Sequence, residues 1–138
     1  MIILDTNVLS ELMRPTPHPT VLAWAAAQSR SLLRTTTVSK AEIFYGVAML
    51  PKGRRRSAIA AAAKAIFDED FAGRVLLFDE HAAALYGDIA ADRRRTGRPM
   101  GILDAQIAAI TLAVGADLAT RNIEDFVGCG LVLINPWE

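Results

Sequence analysis

The sequence predicts an α/β fold, three layers deep (α/β/α), with helices on both faces of a central, mainly parallel sheet. Short apolar runs alternate with longer amphipathic stretches along the whole chain. The runs are continuously apolar rather than alternating, as strands are when both faces of a sheet are covered. At 138 residues and 52% hydrophobic, the chain has material for one core, so residues 1–138 are expected to form a single domain.

The elements follow in order. Ile2-Ile3-Leu4 reads as the first strand, halted by the polar Asp5-Thr6-Asn7. A brief helix from Val8 to Met13 must stop ahead of Pro15, because a residue preceding proline avoids helical backbone. Val21 to Gln28 reads as a second helix. Leu32 to Val38 holds three consecutive threonines, whose branched side chains suit a strand. Ser39-Lys40-Ala41-Glu42 has the form of a capping box opening a helix to about Leu50, before Pro51. An alanine-rich helix covers Ser57 to about Phe67. Arg74 to Phe78 is a third strand, and Asp79 caps a helix running through Arg93-Arg94-Arg95. Gly97 and Pro99-Met100-Gly101 break the chain. Ile102 to Val114 is helical, with Ile107, Ile110, Thr111 and Val114 on one face. Asp117 to Thr120 is a short strand, Asn122 to Phe126 a turn of helix, and Leu131 to Ile134 a last strand.

Composition excludes several classes. The charged fraction of 22% is too low, and the apolar fraction too high, for a disordered chain. No apolar run approaches the roughly 18 to 20 residues of a membrane span, and the N-terminus lacks the basic start of a signal peptide. A lone Cys129 excludes an internal disulfide framework and a cysteine-based zinc site; a reducing cytoplasm is the expected compartment. Fifteen basic residues balance fifteen acidic ones, so bulk charge announces no nucleic-acid partner. The arginines are unevenly spread, however, with clusters at Arg54-Arg55-Arg56 and at Arg93, Arg94, Arg95 and Arg98. Either is a solvated surface or a phosphate-binding patch, for which the planar guanidinium is suited.

In an open parallel sheet, residues just beyond the strands gather along one edge, where such folds bind ligands. Asp5 follows the first strand, Glu42 lies a turn into the helix after the second, and Asp104 opens the Ile102 helix. Asn122 and Asp125 follow the Asp117 strand. Each has a structural alternative as a helix cap or dipole partner. Glu42, however, shares a helical stripe with Tyr45, Gly46 and Met49, and Asp104 shares one with Ile107, Ala108 and Thr111. Both stripes are expected to point inward, bringing Asp5, Glu42 and Asp104 to one mouth. Three such charges repel unless a cation sits among them, and no internal one is evident. Carboxylates without Cys or His beside them select Mg²⁺ or Mn²⁺ over zinc.

Four segments carry a resemblance: Leu4-Asp5-Thr6-Asn7-Val8, Ser39-x-x-Glu42-Ile43-x-x-Gly46, Asp104-Ala105-Gln106-Ile107-Ala108-Ala109 and Thr120-Arg121-Asn122-x-x-Asp125-Phe126. In that order they resemble the motifs of PIN-domain ribonucleases, most of all the VapC-type toxins of toxin–antitoxin pairs. The closing Ile134-Asn135-Pro136-Trp137 is similar to endings in that family. The resemblance spans essentially the whole chain. It implies Mg²⁺- or Mn²⁺-dependent endonucleolytic cleavage of RNA, with Asp5, Glu42 and Asp104 at the family's acidic metal-binding positions. A fourth position, often aspartate, is Asn122 here, which removes a charge and weakens or loses a second metal site; Asp125 could partly substitute. Thr6 matches a position whose hydroxyl supports the site, and Asn7 is expected to orient Asp5 or its loop. Cleavage would leave 5′-phosphate and 3′-hydroxyl ends. The resemblance also implies a cognate antitoxin laid across the acidic cleft and a homodimer, to which Trp24, Phe44 and Tyr45 are candidate contributors unless they are core. RNA would meet Arg93, Arg94, Arg95 and Arg98, or Arg54 to Arg56.

Other readings compete. A carboxylate-nucleophile phosphatase, or another Mg-dependent α/β phosphohydrolase, would carry Asp-x-Asp after the first strand, but position 7 is Asn7. A dinucleotide-binding enzyme would need glycines in the first turn, and there are none. No Ser-His or Cys-His constellation is visible, and His18 and His81 read as bystanders. A PIN-like shell that is catalytically weak and only binds a partner is the remaining alternative, given Asn122.

Overall fold

The structure is a computed structural model describing residues 1–138. Five strands form one parallel sheet in the order β3-β2-β1-β4-β5, from β1 (Ile2–Leu4), β2 (Leu33–Thr36), β3 (Val75–Leu76), β4 (Asp117–Ala119) and β5 (Leu133–Ile134). The helices are α1 (Thr6–Leu12), α2 (Pro19–Ala27), α3 (Thr37–Met49), α4 (Arg54–Ala65), α5 (Glu80–Arg95), α6 (Ile102–Ala113) and α7 (Ile123–Phe126). No helix is long and apolar enough to cross a membrane.

The three layers follow from β1. Ile2 and Leu4 pack on one face with Val8, Leu9, Val21, Ile43 and Phe67, the inner residues of α1 to α4 and the turn beyond. Ile3 packs on the other with Ile89, Ile107, Ile110 and Leu118, beneath α5 and α6. A central strand covered on both sides has no polar position. Each fully buried aliphatic side chain contributes about 1.5–3 kcal/mol.

Boundaries differ from expectation where polar residues decide them. Helix α1 begins at Thr6, not Val8, because Asp5 is its cap and accepts the Thr6 amide. Helix α2 begins at Pro19, pre-set for a first helical position, with His18 Nδ1 accepting the Thr20 amide. The α3 cap is Thr36, whose hydroxyl accepts the Ser39 amide at 3.0 Å. The capping box over Ser39 and Glu42 is therefore a misreading, and both side chains are left for other contacts. Helix α4 begins at Arg54, since Gly53 serves as its N-cap and arginine is a good helix former; it continues through a π turn at Ile66–Asp70. Strand β3 keeps two of its five expected residues; beyond Leu76 the edge is unpaired and Leu77 is exposed. Helix α5 ends before Gly97, whose left-handed backbone (φ 77°) turns the chain.

Candidate metal centre and active site

Parallel strands bring Asp5, the Glu42 helix and the β4–α7 loop to one edge of the sheet. There Asp5, Glu42 and Asp104 line a single cleft of about 570 Å³ with Thr6, Asn7, Ser10, Glu11, Arg14, Arg121, Asn122 and Trp137. Neither cysteine nor histidine lines it.

Asp5 is 4% exposed. One oxygen accepts the Thr6 amide at 2.8 Å. The other accepts the Thr120 hydroxyl at 2.8 Å and the Asn7 side-chain amide at 3.1 Å. Burial pushes its carboxyl above the ordinary 3.8; the Thr120 and Thr6 bonds pull it back, while Glu42 adds to the rise. Asn7 does two jobs, since its Oδ1 also accepts the Arg121 amide at 3.2 Å and ties α1 to the β4–α7 loop.

Glu42 is held from the side. The Thr6 hydroxyl donates to its Oε1 at 2.7 Å and lies 2.9 Å from Ser39 Oγ. Asp104 sits half-buried in the first turn of α6, its carboxyl pushed up to about 6. Desolvation is the first cause, followed by the charges of Asp5, Asp125 and Glu42; Arg93 offsets part of it. That influence corrects the expectation that no internal cation lies near.

The cleft is not a preassembled ligand cage, because no three acidic, His or Cys side chains stand together at metal-holding distance. With Glu42 tethered to Thr6, the acids share the cleft without converging on one point. As a donor set they are all oxygen, which fits a hard dication and not a thiophilic one.

The other expected residues divide. Asn122 lines the cleft, and its amide donates to Thr120 Oγ1 at 3.1 Å, but its side chain caps nothing. Asp125 is exposed and outside the lining, reaching Asp104 only through its field. The Asp104 stripe is buried, with Ile107, Ala108 and Thr111 fully covered. The Glu42 stripe is not. Tyr45 and Met49 are each 67% exposed, and the inner face of α3 is Ser39, Ile43 and Val47. The branched apolar residues set that face and leave Glu42 at its margin. His18 is occupied in capping α2, and His81 is exposed.

The arginine cluster requires correction. Arg93 is buried, donating from Nε to the Arg98 carbonyl at 2.7 Å and from Nη1 to those of Asp125 and Val127 at 2.9 Å. It is a staple, not an RNA contact. Arg95 pairs with Asp92 at 3.2 Å and Arg98 with Glu124 at 3.1 Å. Arg94 is exposed, and none of the cluster lines the cleft. Sequence reasoning missed the side-chain bonds of Thr120 and Ser39, buried Glu11 with its partner Arg14, and Trp137 at the cleft wall. The signal for Thr120 was available: a hydroxyl ending the strand beside the Asp5 strand.

A parallel α/β/α sheet with acidic side chains gathered in a cleft at its carboxyl edge defines a class of small α/β domains. The chain matches the family model of the PIN domain over residues 2–126, and it belongs to that family, among its VapC-type members. It is 41% identical over 138 residues to the VapC ribonuclease Y4jK of Sinorhizobium fredii, covering 100% of this chain and 99% of the relative. Toxin FitB of Neisseria gonorrhoeae is 34% identical over 138 residues, again covering 100% and 99%. A solved structure of FitAB bound to the IR36 DNA fragment superposes with a TM-score of 0.93 at 33% identity, covering 100% of this chain and 96% of that one.

Proposed function

We propose that this chain is the toxin of a VapC-type toxin–antitoxin pair, a single-domain endoribonuclease that depends on Mg²⁺ or Mn²⁺ and acts in the cytoplasm. The observation that carries the reading is a single cleft lined by three carboxylates with no cysteine or histidine, in which burial first, and then the charges of Asp5, Asp125 and Glu42, push the Asp104 carboxyl up to about 6. The name of the 41% identical relative, a VapC ribonuclease, supplies the substrate class. The likeness to FitAB supports a protein partner, the cognate antitoxin, laid over the acids, where a cationic side chain would satisfy them. A homodimer and the RNA substrate complete the assembly.

Asp5, Glu42 and Asp104 are the residues that would hold the cation. When bound, it supplies the positive charge that acidifies an attacking water and polarises the scissile phosphate. The chain supplies position. Thr120, Asn7 and the Thr6 amide fix both oxygens of Asp5, so little freedom is left to lose on binding. The Thr6 hydroxyl steers Glu42. Asp104 must release its proton before it can act as a ligand, so cation binding releases protons near pH 6. Asn122 leaves the fourth position uncharged, consistent with a single principal cation site.

The test is cleavage of RNA by protein freed of antitoxin. Asp5→Asn and Asp104→Asn are expected to reduce it to background, and chelation is expected to stop the parent until Mg²⁺ or Mn²⁺ is restored. The products should carry 5′-phosphates. Unchanged cleavage by Asp5→Asn would exclude this mechanism.

A further inference from the structure

Two cations line the cleft, Arg14 and Arg121. Arg14 is committed, 3.0 Å from the carboxylate of buried Glu11. Arg121 is not: only its backbone amide is bonded, to Asn7, and its guanidinium has no ion pair and no hydrogen bond. What holds it is an aromatic ring. The guanidinium carbon lies 5.1 Å from the centroid of Trp137, the one hydrophobic residue in the lining, and Trp137 packs behind against the core. The order from the core outward is therefore indole, guanidinium, open cleft.

We infer that Arg121, propped on Trp137, is the substrate-docking residue of the cleft: it grips a phosphate of single-stranded RNA and offers its open face to the adjoining nucleobase. The inference rests on the ribonuclease reading above and specifies how the strand is held. A phosphodiester approaching three carboxylates is repelled, so an unspent cation at the rim has a clear task. Guanidinium planes both fork onto phosphate and stack with bases, and unpaired RNA presents free base faces. The Asn7 bond fixes the Arg121 backbone to the residue that also holds Asp5, which keeps the docking point in register with the acids.

The two tryptophans make the test direct, because Trp24→Phe leaves Trp137 as the sole indole. In that protein, with Asp104→Asn added to silence cleavage and chelator present at low salt, an eight-nucleotide single-stranded RNA should change Trp137 emission saturably. An abasic strand of equal length should bind several-fold more weakly. Arg121→Ala should weaken binding by about ten-fold or more, as loss of a stacked base does. It should also shrink the slope of log affinity against log salt by about 0.7, the share of one single-strand phosphate contact. Arg121→Lys should keep that slope while losing the preference for bases. Absence of binding by the parent, emission unmoved at saturation, equal affinity for the abasic strand, or Arg121→Ala with unchanged affinity and slope each overturns the inference. The two readings fail separately. Cleavage surviving in Asp5→Asn with Arg121-dependent binding ends the cation mechanism alone; cleavage lost there with Arg121-independent binding ends the docking role alone.

Discussion

Thr120 carries no charge and no exposed surface, yet three polar groups of the cleft converge on its hydroxyl: the carboxylate of Asp5, the side-chain amide of Asn7 and the backbone amide of Asn122. Replacing it with valine keeps the shape and removes every one of those bonds. Thr120→Val should cost about 1–3 kcal/mol in urea unfolding, the penalty for buried polar groups left without partners. It should also lower cation affinity while leaving the far-ultraviolet spectrum unchanged. Asp104 makes a separate prediction through pH. Its carboxyl is raised from 3.8 to about 6, so the folded chain binds that proton more tightly than the unfolded one. The stability it contributes is complete below pH 3.8 and is lost as pH rises through about 6. Metal-free protein should therefore lose melting temperature across that window, and Asp104→Asn should lose less. An equal slope in the two proteins would remove Asp104 as the source. At pH 7, Mg²⁺ should raise the melting temperature of the parent more than that of the variant.

Elements separate what patterning can read from what it cannot. Apolar spacing predicts β1 and α6, and one dominant burial direction fixes each: β1 is buried throughout, and α6 hides Ile107, Ile110 and Thr111, whereas Val114, expected on the same face, lies past the end of the helix and is exposed. Helix α3 forms where the sequence predicts a helix but turns a different face inward. Glu42, Tyr45, Gly46 and Met49 form a good stripe on paper, while the sheet is met by Ile43 and Val47. Two apolar stripes on one helix look alike until a neighbouring surface chooses between them. The arginine run failed for a related reason, since charge runs are ordinarily wet and Arg93 is the member that turns inward. Its three carbonyl partners join the end of α5 to the loops around α7. Arg93→Ala should thus destabilise the protein by about 3 kcal/mol or more. Arg94→Ala should fall within about 0.5 kcal/mol of the parent, as exposed substitutions do. Denaturant titration of the pair checks both, and equal midpoints would show that the staple contributes nothing.

Across the whole molecule, the alternation of short strands and helices gives the architecture, and the acids that follow β1 and β2, with the one that opens α6, give the cleft. Sequence spacing could not supply the Thr120 bond to Asp5 or the Thr6 bond to Glu42, because each joins distant segments whose register only the packed sheet sets. The sheet order has a further consequence for the cell that makes this protein. β1 is the innermost strand, with β2 on one flank and β4 on the other, and the bond fixing Asp5 comes from a residue 115 positions later. A chain still emerging from the ribosome has only the Thr6 and Asn7 bonds to hold its first acid, and lacks the Thr120 bond until nearly the last residues are made. Chains cut short before Asp117 should accumulate harmlessly and leave transcripts intact, whereas growth arrest from any of them would show that the late strand is dispensable. Synthesis thus carries its own delay. On this order of events the cleft is complete only when the β4 segment has been made and paired with β1.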